Sequence, residues 1–121
     1  MAQKADLVAR VGVDLGLVRL NGSLQNQDNT RISSAYDEVY ERLKEEGLAV
    51  WSSTGTVPTS IVPYVCLLMA QNCVMSGSYG VPIDRYQRIM SEAGPDGRRA
   101  RANISAIVIP EQESTIEVKD Y

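Results

Sequence analysis

The sequence contains no histidine, no phenylalanine, one tryptophan and two cysteines in 121 residues. Without histidine, the commonest general base and the commonest metal ligand are both missing. Two cysteines alone cannot complete a four-ligand zinc site. Cys66 and Cys73 lie in one apolar run, and a helix there would set them about 10 Å apart on nearly the same face. A disulfide needs Cα atoms within about 7 Å, so they cannot pair within that helix. Both read as buried thiols, which fits assembly in a reducing cytoplasm. The chain has no P-loop, nucleophile elbow, dinucleotide fingerprint or metal motif. GVDLG and GSYG are lone glycine pairs without the required context. No enzymatic activity and no cofactor are expected, and no catalytic or metal-binding residue stands out. The net charge of −3 also lacks the basic excess of a general nucleic-acid binder. No long apolar segment opens the chain, so no signal peptide is expected.

What is present is helical periodicity. Thr59–Ser76, TSIVPYVCLLMAQNCVMS, is the longest apolar run. Its apolar residues point almost all round a helix, which predicts an element enclosed by others. Pro63, Gln71 and Asn72 interrupt it, and it falls short of the roughly 20 apolar residues that a membrane span needs. Before it, Ala5, Leu7, Val8, Val11 and Leu15 suit one face of a helix over Gln3–Leu15. NGSLQNQDN, at 21–29, reads as an exposed connection. Ile32, Ala35, Tyr36, Val39, Tyr40 and Leu43 then follow helical spacing without a miss. Asp28, Asn29 or Thr30 is expected to cap that helix, and Gly47 to end it. After the apolar run, Pro82 opens a fourth helix whose inner face carries Tyr86, Ile89, Met90 and Ala93. The predicted core is Ile32, Tyr36, Val39, Leu43, Val65, Leu68, Met69, Cys73, Tyr86 and Ile89. The expected fold is mainly α: one domain over residues 1–103, a bundle of about four helices.

Three features invite a functional reading. The outer face of the second helix is acidic, with Asp37, Glu41 and Glu45, while Arg98, Arg99 and Arg101 form a basic cluster. Each reads either as a solvated face or as half of a contact between neighbouring copies. Trp51 is either a plug closing the helical core or an anchor between subunits. Gly94-Pro95 predicts a kink or break, with helix resuming to about Asn103. The segment 104–121 changes character. Ile107, Val108 and Ile109 are β-branched, and Ile116 and Val118 alternate with charged residues. It is expected to be an extended arm or a β-hairpin, paired with itself or added to a partner's sheet edge.

RISSAYDEVYERLKEEGLAVW, a loop, and then VPTSIVPYVCLLMAQNCVMSGSYGVPIDRYQRIMSEA resembles the head-to-tail adaptor proteins of tailed bacteriophages. The likeness covers roughly residues 5–101. It lies in the acidic AYDEVYERL helix ending at Gly47, the Leu48–Trp51 segment, the apolar helix after Val57-Pro58 and the YGVP turn at Tyr79–Pro82. It departs at Gly94–Gly97, where such proteins usually continue the helix. The resemblance implies a virion structural protein of the head–tail neck, assembled in the host cytoplasm. It would form a closed ring of about twelve copies beneath the portal. The ring would extend the channel for genomic DNA, without sequence-specific binding, and offer a platform for tail or neck proteins. Its partners would be the portal protein, those tail proteins and its own neighbours; no membrane is implied. A C-terminal arm gripping the portal would be carried here by Ile107, Ile109, Ile116, Val118 and Tyr121. Asp37, Glu41, Glu45, Arg98, Arg99 and Arg101 would lie between subunits. The rival reading is a small helical protein-binding or regulatory module unrelated to virions, but no basic recognition helix is evident.

Overall fold

Helical spacing in the sequence becomes helix in the computed structural model, which describes residues 2–17, 25–52, 54–75 and 81–116, with the backbone alone for 110–116. The helices are α1 (Lys4–Asp14), α2 (Asn26–Glu45), α3 (Val62–Met75), α4 (Ile83–Ala93) and α5 (Arg98–Ile116). A 3₁₀ turn, Thr59–Ile61, leads into α3, and a second, Pro95–Gly97, separates α4 from α5. Among the described residues there is no strand, only one isolated antiparallel bridge, Ala2 to Val57. The protein is a mainly α bundle, as its periodicity predicts.

α3 is the centre. It packs against each of the other four helices, while α1 pairs with α2 and α4 with α5. Val65, Cys66, Leu68, Met69, Ala70, Cys73 and Val74 are all buried. That is the consequence of apolar residues on every side: each side has a neighbour to bury it. Ile32, Ala35, Tyr36, Val39, Tyr40 and Leu43 form the inner face of α2. Leu7, Val8, Val11 and Leu15 close α1 over them. Trp51 is buried and packs edge-on against Tyr40, with ring centroids 5.8 Å apart, so it serves as the plug.

The sequence places three features differently from the structure. α2 starts at Asn26, earlier than expected, and has no side-chain cap; Asp28 lies in its first turn. Tyr86 is not a core residue, being 38% exposed. It sits in the first turn of α4, where the inward-pointing stripe overhangs the bundle, and Ile89 and Ala93 farther along are buried. The fourth helix does break, at Gly94. Gly94 and Gly97 have φ of +81° and +71°, which favours glycine because other residues are strained there. The largest correction concerns the expected extended arm. The backbone from Ile104 to Ile116 is part of α5, so the domain boundary at 103/104 falls inside a helix. Ala100, Ile104 and Val108, spaced by four, are 0%, 0% and 1% exposed. Burial at helical spacing has overridden the β-preference of the Ile-Val-Ile run. Residues 117–121 lie outside the described residues.

Candidate functional site

A cleft of about 340 Å3 opens between α2, α3 and the start of α5. Its apolar wall is Val39 and Leu43 from α2 with Leu68 and Met75 from α3. Met75, in the last turn of α3, is 64% exposed at the cleft. Gln71 also lines it and is 94% buried, the complement of its 6% exposure. Its Nε2 donates to the Gly94 carbonyl at 2.9 Å, so α3 holds the broken end of α4. Asn72 Nδ2 donates to Glu38 Oε1 at 2.9 Å and closes one rim.

The other rim is a network of four charges. Arg42 binds Asp96 through both ends of its guanidinium, at 2.9 and 3.4 Å. Its Nε lies 3.7 Å from Glu46. Arg101 places Nε 3.3 Å from Glu46 and Nη2 3.9 Å from Asp96, and its Nη1 also donates to the Asp96 carbonyl. Asp96 itself has a φ of +56°, a left-handed conformation that Asp tolerates better than most residues. The hydrogen bond from Arg42, reinforced by its charge, holds the Asp96 carboxyl below the usual carboxylate range. The same bond raises Arg42. The two-ended geometry is the strong form of such pairs. The network ties the end of α2 to the turn that opens α5.

Of the three arginines expected to meet a neighbouring copy, Arg101 has a side chain only 13% exposed and engaged within the chain. Arg98 and Arg99 are exposed beside it, with Arg99 donating weakly to the Ser91 carbonyl at 3.5 Å. On α2, Glu41 and Glu45 are exposed. Asp37 pairs with Lys4 at 2.8 Å, an exposed contact between α1 and α2. Of the expected arm residues, Ile107 is half-buried on α5 and Ile109 is 40% exposed. Ile116 ends α5, with its side chain not described; Val118 and Tyr121 lie outside the described residues. Arg42, Asp96 and Gln71 were not singled out as site residues. The sequence held one signal for Gln71: it interrupts an otherwise apolar run, and a buried amide needs a partner.

Among the described residues, no group of three or more His, Cys, Asp or Glu side chains could hold a metal ion. No described helix is long and apolar enough to cross a membrane. The thiols of Cys66 and Cys73 are both buried; burial pushes the Cys66 thiol up to about 12 and raises that of Cys73. Comparison with known protein families, curated proteins and solved structures finds no match to this chain.

Proposed function

We propose that this chain is a virion structural protein, a head-to-tail adaptor that forms a ring beneath the portal of a tailed bacteriophage. One observation carries the proposal: the segments that resemble such adaptors each occupy their own helix in the bundle. AYDEVYERL lies in α2, the apolar run in α3 and IDRYQRIM in α4. The exposed carboxylates of α2 and the exposed Arg98 and Arg99 are different patches. Closed rings need such non-identical, complementary surfaces. An acidic chain lining a channel repels the DNA phosphates and lets the genome slide. Virion assembly supplies the partners: portal on one side, tail or neck proteins on the other.

The test is electron microscopy of portal complexes with and without the purified protein. A ring of added density beneath the portal is expected. Portal complexes with no added density at saturating protein would end the adaptor reading.

A further inference from the structure

We infer that the cleft between α2, α3 and the start of α5 receives the acidic C-terminal segment, residues 110–121, of a second copy of this chain. The inference deepens the ring contact proposed above and rests on that reading for its setting.

Charge is the first argument. The cleft itself is lined by Arg42 and Arg101 against Glu38 and Asp96, with Glu46 beside them. Arg42 and Arg101 are held by Asp96 and Glu46, and Glu38 accepts from Asn72. Arg98 and Arg99 do not line the cleft; they are exposed next to its Asp96 rim, where they are the added positive charge. Residues 110–121 carry Glu111, Glu113, Glu117 and Asp120 against Lys119, a net charge of −3. Opposite charge at the two ends of one helix directs head-to-tail association and disfavours a symmetric pair.

The apolar wall is the second argument. The cleft has room for one or two apolar side chains, and Met75 is already exposed at it. The C-terminal segment offers Ile116, Val118 and Tyr121 between its acidic residues. Apolar anchors in a groove with charges at the rim are the usual form of peptide recognition.

Reach makes the contact intermolecular. From Arg101 to Ile116, α5 carries the chain away from the cleft by about 22 Å at 1.5 Å per residue. Residues 117–121 span at most about 17 Å even when fully extended. The segment therefore cannot return to the cleft of its own chain while α5 is helical. Only another copy can supply it.

The experiment uses the full-length chain and needs no portal. A fluorescent peptide of residues 110–121 is titrated with dilute protein, and anisotropy is read. Saturable binding is expected. It should weaken at least about tenfold, or 1.4 kcal/mol, in Arg98→Glu/Arg99→Glu protein. It should also weaken with Met75→Glu, and with Ile116→Ser/Val118→Ser in the peptide. Far-ultraviolet circular dichroism checks that each variant is folded. In parallel, Met75→Cys and Tyr121→Cys chains are mixed at high concentration and oxidised; a mixed disulfide dimer is expected. No saturable binding, binding indifferent to the arginines and Met75, or failure of the mixed pair to crosslink overturns the inference. Crosslinking without portal attachment would keep this contact and end the adaptor reading. Portal attachment with no crosslink would do the reverse.

Discussion

The indole N–H of Trp51 donates to the hydroxyl of Tyr36 at 3.0 Å, and both side chains are buried. The Trp51 carbonyl in turn accepts from Tyr40 at 2.7 Å. Trp51, in the segment after α2, is thus held by two tyrosines one turn apart on that helix. Tyr36→Phe leaves the indole N–H without its partner and should cost about 1–3 kcal/mol. Trp51→Ala removes the plug itself and should cost about 3–5 kcal/mol. Urea unfolding measures both. A loss below about 0.5 kcal/mol for Trp51→Ala, as for a surface change, would show that the plug is not needed.

Gly97 should be coupled to Leu68. A Cβ on Gly97 would lie 2.6 Å from Leu68 Cδ2, at a φ of +71°. Leu68→Ala alone should cost about 2–5 kcal/mol by leaving a cavity. Gly97→Ala alone should cost at least about 1 kcal/mol from backbone strain, with the clash added. In the double variant the cavity takes up the new methyl group, so its loss should be smaller than the sum of the two single losses. A double-mutant cycle from denaturant melts reads the coupling, and strict additivity would contradict the contact.

The thiol of Cys66 makes stability depend on alkaline pH. Its folded value is pushed up to about 12 by burial, against about 8.5 in an unfolded chain. A raised value favours the folded protein while the thiol is protonated. That contribution is fully present below about pH 8.5 and is lost as pH rises toward the folded value. Between these limits the wild type should lose more stability than Cys66→Ala, measured by denaturant midpoints. At neutral pH, a thiol reagent should modify Cys66 and Cys73 only as fast as the protein opens.

Arg99 and Arg101 should separate assembly from folding. Arg101→Ala breaks contacts to Glu46 and Asp96 from a mostly buried side chain, and should lower stability by about 1–3 kcal/mol. Arg99→Ala should stay within about 0.5 kcal/mol. In the adaptor reading, Glu41→Arg and Arg99→Glu should each impair assembly on portal-bearing heads; partial restoration by the double variant would pair Arg99 with Glu41 instead of with the C-terminal segment. Normal assembly by both single variants would remove the charge pair from the interface.

Truncation should divide α5. Removal of residues 117–121 leaves every described core residue in place and should not move the melting temperature. Removal from residue 106 takes away Val108, which is 1% exposed against the bundle. That shorter chain should melt several degrees lower. Equal melting of the two would put Val108 outside the core.

These α5 residues also mark where the sequence misleads. Ile107, Val108 and Ile109 are adjacent and β-branched. Local preference there reads as strand. The helical pattern is present in Ala100, Ile104 and Val108, but it is thin, with one buried residue per turn. The periodicity of α2 and the apolar character of α3 were legible because many residues in each repeat the same instruction. The charge network was not legible. Arg101 meets Glu46 across 55 positions of sequence, the difference of their numbers, and no local spacing encodes such a meeting. Tyr86 failed for a third reason: periodicity says which way a side chain points, not whether the bundle extends far enough to cover it.

The position of α3 has a mechanical consequence. The α1–α2 pair and the α4–α5 pair are two leaves clasping a common spine. A spine that is packed on all sides cannot roll or slide without repacking against every neighbour at once, and close-packed interiors switch between discrete arrangements rather than deforming smoothly. A pull on α5 is therefore carried to α2 either through the spine or across the Arg42–Asp96 clasp at the edge of the leaves. Arg101–Glu46 is a second clasp at the same edge; with both severed, load on one leaf is felt by the other only after the spine itself yields.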